Sequence, residues 1–239
     1  MKTLPSRFGD FDSLSMLTII EGKLINKTPI RVGSGRMVER WAAGDITPLR
    51  IGLNGKDVPY IPGSSLKGVL RSVAESIARA EGMHIHDPWD LKAVEEEAEK
   101  GEFCIICGTF GSIKLASHIR VYDSYPVDGM EVKTFMKTGV GINRDFRGAQ
   151  PDILYTEEQV VPGTLWQFRM DILNIKLFPE PEDERGKLLR TLLNMLKNGM
   201  IQVGARRTVG FGLLELRDCK YTIYVVREGS LVKESEGSL

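Results

Sequence analysis

Two cysteines and two histidines form the most specific metal-binding pattern in this chain of 239 residues. Cys104 and Cys107 are separated by two residues, and His84 and His86 lie upstream of them. Thiolates at this spacing on a tight turn can bind one Zn²⁺, and an imidazole adds a third ligand. The fourth ligand stays open among the second histidine, His118 and water. We expect such a zinc ion to be structural, because the segment around it is too small to form its own core.

The same residues have two other interpretations. The cysteines could be buried, reduced thiols, with the histidines at the surface. A redox-active Cys-X-X-Cys is disfavoured because no thioredoxin-like strand–helix pattern surrounds it. The third cysteine, Cys219, is too distant in sequence to assign to the cluster. Three cysteines in all do not form a disulfide framework.

A predicted helix start with two cations is a candidate phosphate site. It lies in the stretch Tyr60-Ile-Pro-Gly-Ser-Ser-Leu-Lys-Gly-Val-Leu-Arg71, where Ser64 or Ser65 is expected to cap the helix. Lys67 and Arg71 are four residues apart, so they share a face that is separate from the apolar stripe. Free amides, hydroxyls and cations at a helix start suit a phosphate group. The simpler interpretation is a capped amphipathic helix with a solvated basic face.

Two further segments combine cations with features that suit nucleic acid. The turn from Gly204 to Gly212 has small residues, which let backbone amides approach an anion, and it contains Arg206 and Arg207. Another segment mixes two phenylalanines with four cations, a mixture that suits unstacked bases and phosphates; its members are Lys133, Phe135, Lys137, Arg144, Phe146 and Arg147. An ordinary hairpin and a mobile, solvated loop are the respective alternatives. The turn is not a Walker loop, because no Gly-Lys-Ser/Thr follows.

The composition is typical of a globular protein, with 42% hydrophobic and 27% charged residues and a formal net charge of zero. No apolar run approaches the roughly 20 residues of a membrane span, and no signal-peptide pattern is present. We therefore expect a cytoplasmic protein with no membrane partner. Seven acids and two lysines between Asp87 and Glu102 give that segment a charge of −5, which leaves +5 for the remaining chain.

The elements that position these residues follow a repeated strand–helix–strand order. Residues 16–26 and 164–174 are rich in β-branched and apolar residues, which predicts two strands. Apolar residues recur with a helical period in residues 64–81 and 185–199, which predicts two amphipathic helices. A last strand is expected to end near Val226, and the polar tail beyond it is expected to be frayed.

Two long interruptions separate these elements. Residues 83–118 are predicted to be an insertion with an acidic helix at about 88–100, and residues 119–162 are predicted to be irregular because glycines and a proline recur there. Asn54-Gly55 suits a tight hairpin turn. The core order predicts an α+β, ferredoxin-like fold in a single domain of residues 1–239.

Three motifs in this order resemble the RAMP superfamily of CRISPR-associated proteins. They are the stretch 60–71, Cys-Ile-Ile-Cys-Gly-Thr-Phe-Gly-Ser at 104–112, and Gly-Ala-Arg-Arg-Thr-Val-Gly-Phe-Gly at 204–212. Residues 158–168 are similar to the family's strand into the second half, and the likeness covers roughly residues 16–226. Within the family, the chain most resembles the Csm/Csx-type backbone subunit of type III effector complexes.

This resemblance implies an RRM-related palm that binds CRISPR RNA beside copies of itself and other effector subunits. It implies a thumb-like hairpin within residues 125–157, and it supports zinc bound by His84 or His86 with Cys104 and Cys107. It also implies that complementary target RNA is cut in a reaction that depends on Mg²⁺ or another divalent metal. Asp45 matches the aspartate required for that cut, either as a metal ligand or to orient the attacking 2′-hydroxyl.

Two other functions are compatible with the same resemblance. The chain could be a non-catalytic scaffold for the guide RNA, in which Asp45 is only structural. A guide-processing ribonuclease is disfavoured, because no histidine adjoins the predicted RNA groove.

Overall fold

The computed structural model describes residues 8, 13–33, 47–53, 55–145 and 147–239. Its strands are β1 (Met16–Asn26), β2 (Arg50–Leu53), β3 (Lys56–Pro59), β4 (Ile119–Val121), β5 (Thr134–Ile142), β6 (Ala149–Val160), β7 (Leu165–Leu173), β8 (Ile201–Gln202), β9 (Leu213–Arg227) and β10 (Ser230–Ser238). Its helices are α1 (Gly63–Ala80), α2 (Leu91–Lys100), α3 (Ile105–Phe110) and α4 (Glu184–Lys197), with a short 3₁₀ helix at Arg207–Val209.

The main sheet is antiparallel, with the strand order β10-β9-β1-β7-β4, and β8 pairs with β9. Along the chain, its central part runs β1-α1-β4-β7-α4-β9. This is the strand–helix–strand, strand–helix–strand order of a ferredoxin-like fold. The mixed architecture is therefore compatible with the fold that the sequence predicts.

The core lies between one face of this sheet and the helices α1 and α4. Alternate residues of β1 and β7 point to that face, so Ile20, Leu24, Trp166 and Met170 are at most 1% exposed. Leu24 lies opposite Trp166 on β7, and the indole nitrogen of Trp166 donates a hydrogen bond to Asn26 Oδ1 at 3.1 Å. The largest buried side chain thus has its polar atom satisfied, as buried polar groups require.

The prediction that residues 119–162 are irregular is wrong, because they contain β4 and the β5–β6 hairpin. Two of the glycines that suggested a break, Gly139 and Gly141, lie within β5 and face large side chains of β6. A Cβ on Gly139 would lie 2.3 Å from the Tyr155 ring, and one on Gly141 would lie 2.6 Å from Ile153. These glycines therefore make room for side chains of β6 and do not end the strand.

The prediction of a frayed tail from Glu228 is also wrong. Glu228 and Gly229 both have positive φ and form a tight turn, after which β10 pairs with β9. β10 is an edge strand whose residues are almost all exposed. Its polar composition suits an edge strand, because charged side chains discourage pairing with other chains.

Candidate functional site

An open groove of about 600 Å³ lies between α1 and the Gly204–Gly212 turn. Ser65, Gly68 and Ser72 line it from α1, while Gly204 and Arg207 line it from the turn, and Arg31 adds a third wall. The helix positions recur every three to four residues, so they share one side of α1. The structure thus brings the first and third sequence motifs together across one groove.

Gly204 allows the backbone of the turn to approach the segment after β1 closely. Its φ is +89°, and a Cβ there would lie only 2.3 Å from the carbonyl oxygen of Arg31. The next amide, of Ala205, donates a hydrogen bond to that same oxygen at 3.0 Å. Any side chain at residue 204 would therefore open the floor of the groove.

Neither Ser64 nor Ser65 caps α1, contrary to the sequence prediction. The helix begins at Gly63, and its N-cap residue is Pro62, whose side chain forms no capping hydrogen bond. The amide of Gly63 instead donates to Asp123 Oδ1 at 2.8 Å. The cap therefore comes from a distant carboxylate, which local sequence could not reveal.

Arg31 is a groove residue that no sequence pattern selects. It is 8% exposed, and its Nη2 lies 3.5 Å from the buried carboxylate of Glu157 on β6. Burial lowers its pKa, although the charge of Glu157 opposes this effect. Among the described residues, Arg31 Nε has no hydrogen-bond partner.

Arg206 and Arg207 are adjacent in sequence but have different environments. Arg206 has a positive φ of 57°, donates to Glu157 Oε2 at 2.6 Å, and lies 4.6 Å from the Tyr155 ring centroid. Arg207 lines the groove and is exposed. Arg206 thus ties the turn to the hairpin, whereas Arg207 is placed to meet a ligand.

Lys67 and Arg71 lie on the other side of α1 from the groove. They line a separate cleft of about 420 Å³ together with Trp89 and the loop after α3. Arg71 Nε is bound to Glu75 at 2.9 Å, and its Nη1 donates to the carbonyl of Gly111 at 2.9 Å. The predicted basic face of the helix therefore exists but does not open onto the groove.

The cations predicted around the hairpin are spread along it. Lys133 precedes β5 and Lys137 lies within it, with Nζ 4.3 Å from the Phe211 ring centroid. Arg144 and Arg147 are exposed near the turn between the strands. Phe146 lies outside the described residues. The structure does not bring these four cations into one cluster.

A candidate metal site joins His86, Glu97, Cys104 and Cys107. One ligand atom from each lies within 4.8 Å of all the others. Cys107 Sγ is 3.4 Å from His86 Nε2, which is 3.0 Å from Glu97 Oε1. His84 is exposed and is not part of this group, and buried His118 is not part of it either. The acidic residue Glu97 takes the position that the sequence left open.

The chemistry of these donors fits a metal ion. His86 Nδ1 lies 3.0 Å from the carbonyl of Asp87, which leaves Nε2 directed at the cysteines. Glu97 Oε2 is buried and has no hydrogen-bond partner among the described residues. The hydrogen bond from Cys107 lowers the pKa of the Cys104 thiol to about 7, and the pKa of Cys107 is raised by the same interaction. A ready thiolate beside an unsatisfied carboxylate oxygen is an arrangement that a cation would stabilise.

The family model described as the RAMP superfamily matches residues 23–215, well over half of the chain. The chain belongs to the RAMP superfamily. Both groove motifs lie within the matched range, as do all four residues of the candidate metal site. A comparison with curated proteins gives no match.

As a RAMP protein, the chain is a CRISPR-associated RNA-binding module, with CRISPR RNA and effector-complex subunits as its partners. None of the helices in the described part of the chain is long and apolar enough to cross a membrane. Asp45, the predicted catalytic residue, lies outside the described residues. The described residues on either side of it meet beside the groove, because Gly33 lines the groove and Leu49 N donates to Val32 O at 2.8 Å.

Proposed function

We propose that this protein is a backbone subunit of a type III CRISPR effector complex, of the Csm/Csx type, that binds CRISPR RNA in the groove between α1 and the Gly204–Gly212 turn. The observation that carries the proposal is the close approach of two backbone segments beside Arg31 and Arg207. This approach places the guanidinium groups of Arg31 and Arg207 on one groove, where arginines add charge-assisted hydrogen bonds to phosphate. Such contacts fix the position of an RNA strand without reading its sequence, so guide pairing would select the target.

Substitution of Arg207 by alanine tests the groove. Each phosphate contact with a single strand contributes about 0.7 to the slope of log K against log salt. We expect Arg207→Ala to reduce the slope by about this amount and to weaken binding of single-stranded RNA. Arg227→Ala is the matched control, because Arg227 lies at the end of β9, away from the groove, and pairs with Glu234. Equal effects of the two substitutions would contradict the groove assignment.

We also propose that the β5–β6 hairpin acts as the thumb that separates guide bases at regular intervals. Its outer part, which we define as the strand residues nearest the connecting turn, at 140–142 and 149–154, carries exposed apolar residues. Ile142 is 60% exposed and Leu154 is 68% exposed. An apolar surface of this kind on a hairpin suits contact with unstacked bases. Its lower part is tied to the groove through Glu157, which binds Arg31 and Arg206.

Cleavage of complementary target RNA is the second function that we propose, with Asp45 as the residue that holds Mg²⁺ or orients the 2′-hydroxyl. Its support is that Gly33 and Thr47, the described residues on either side of Asp45, approach each other beside the groove. The assembled complex with Asp45→Asn should retain its RNA but lose target cleavage. Undiminished cleavage would leave the chain as a non-catalytic scaffold.

The metal site has a structural role in this proposal. His86, Glu97, Cys104 and Cys107 would hold one Zn²⁺, which would crosslink the second half of α2, the start of α3 and the histidine segment. Elemental analysis of the purified protein should give about one zinc per chain. Loss of the metal signal in Cys107→Ser, with Cys219→Ser as the control, would assign it to this site.

A further inference from the structure

The cleft on the Lys67 side of α1 has the composition of a ligand site. Its volume of about 420 Å³ falls within the range of about 300–1,000 Å³ that small-molecule pockets occupy. Trp89 forms part of its wall and is 86% exposed, and the neighbouring Ile113 is 66% exposed. Tryptophan is usually well buried, so an indole this exposed is a feature that folding does not explain.

The charged groups of the cleft are both cations. Among the described residues Lys67 forms no hydrogen bond or ion pair, and the described lining contains no carboxylate. Burial lowers the pKa of Lys67, and the positive charge of Arg71 adds to that effect. An anion placed between them would offset both costs, since opposite charges at close range favour the charged form of each other.

The acidic residues around Trp89 do not enter this lining. Asp87 and Asp90 flank the tryptophan, but neither lines the cleft. Asp90 is engaged elsewhere, because its Oδ1 accepts a hydrogen bond from Ala93 N at 3.1 Å and caps α2. Arg71 is fixed in place by Glu75 and by the carbonyl of Gly111. The site therefore joins a fixed guanidinium, a free ammonium and an exposed aromatic plane.

We propose that this cleft is a nucleotide subsite for single-stranded RNA, in which Trp89 stacks on one base while Lys67 and Arg71 bind the adjoining phosphate. The inference rests on the proposed RNA-binding function and adds a second contact point, across α1 from the groove. Every base has a π-face, so the subsite would accept any nucleotide. A protein partner could also bury the indole, but it would leave the ammonium of Lys67 without a counter-charge unless it brought a carboxylate.

The test compares Trp89→Ala and Trp89→Phe in the full-length chain. The probe is a fluorescein-labelled oligouridine of about 12 nucleotides, whose binding is followed by polarisation. We expect Trp89→Ala to raise Kd about tenfold, which equals about 1.4 kcal/mol. Trp89→Phe should retain most of the wild-type affinity, because phenylalanine keeps an aromatic plane. Leu231→Ala, at another exposed apolar residue, is the control and should leave Kd unchanged.

The salt dependence separates the two parts of the subsite. Stacking releases no counterions, so Trp89→Ala should keep the wild-type slope of log K against log salt. Lys67→Ala should lower the slope by about 0.7, the value for one phosphate on a single strand. In a Trp41→Phe background, saturation with the oligouridine should also quench the fluorescence of the exposed Trp89. Trp166 is 1% exposed, so its fluorescence should not change.

Three results would overturn the subsite, and the first two differ in whether they also remove the proposed function. An unchanged Kd in Trp89→Ala, with Arg207→Ala still weakening binding, removes the subsite and keeps the proposed function. Absence of RNA binding by the wild-type chain removes both. If Trp89→Ala leaves Kd unchanged but abolishes self-association in sedimentation, the cleft binds a second copy of the chain instead of RNA.

Discussion

The segment 83–118 and the β5–β6 hairpin are both additions to the same sheet, yet they are built in opposite ways. The segment buries its large apolar residues, since Val94 and Phe103 are at most 7% exposed and Ile106 and Phe110 join the main core. Near the turn of the hairpin, the described large apolar residues are instead open to solvent: Val140, Ile142, Ile153 and Leu154. One addition hides its apolar surface and the other displays it.

This difference indicates where each addition gets its stability. In the segment, α2 buries only Val94, so we expect α2 to depend on the group formed by His86, Glu97 and the two cysteines. The hairpin is held at its base, where Glu157 is 3% exposed and binds both Arg31 and Arg206. The segment should therefore respond most to changes in its interior, and the hairpin to changes at its base.

Metal removal is expected to have the largest effect, and it acts on the segment. Binding free energy becomes folding free energy where a site is not preformed, and a metal at about a thousandfold excess over Kd contributes about 4 kcal/mol. We expect a chelator to lower the opening free energy of the α2 and α3 amides by about this amount. Native-state hydrogen exchange measures it for each amide, and those of β5 and β6 should not change.

A second buried thiol provides the control for this experiment. Cys219 lies on β9, and burial raises the pKa of its thiol to about 11. Cys219→Ala should lower overall stability slightly and keep the chelator effect, whereas Cys107→Ala should abolish that effect. Equal protection of α2 and α3 with and without chelator would contradict the idea that the segment depends on a metal.

Neutralising Glu157 is expected to have the next largest effect, and it acts on the hairpin base. Glu157→Gln leaves the guanidinium of Arg31 buried without its ionic partner, which typically costs about 3 kcal/mol or more. Urea unfolding gives the change in free energy. Glu158→Gln is the matched control on the same strand, because its partner Arg50 is 29% exposed and the expected loss is about 1 kcal/mol or less. Equal losses would show that the base does not depend on the buried charge.

The central fold follows from periodicity in the sequence, whereas the additions depend on contacts that are distant along the chain. β1, α1, β7 and α4 each show a clear alternation or helical stripe, and the structure has them within a few residues of their predicted bounds. Residue patterns alone did not predict the β5–β6 hairpin, which only the family resemblance implied, because Gly139 and Gly141 suggest a break unless Tyr155 and Ile153 are known to lie close to them.

The candidate metal site was predictable only in part, because it too depends on a contact between residues that sequence patterns do not connect. The Cys-X-X-Cys spacing identified both thiols, and the paired histidines identified one ligand. His84 and His86 are two residues apart, yet only His86 turns inward, towards Glu97. Glu97 has three other acids close by on α2, at positions 95, 96 and 99, so composition gives no reason to single it out. What distinguishes it is that its Oε1 lies 3.0 Å from His86 Nε2 and accepts a hydrogen bond from the amide of Cys104 at 2.9 Å.

The smallest effect on stability is expected at the outer part of the hairpin. Its apolar side chains are exposed, so we expect them to contribute to RNA binding and not to folding. Leu154 is 68% exposed, so Leu154→Ser should change the free energy of unfolding by no more than about 0.5 kcal/mol. If its surface is displayed for contact with bases, the same change should weaken RNA binding by about 1 kcal/mol through lost apolar burial. Leu231→Ser on β10 is the control, since Leu231 is 46% exposed on an edge strand and should affect neither property. A stability loss at Leu154 without a binding loss would show that the hairpin, like the segment, packs its apolar residues for folding.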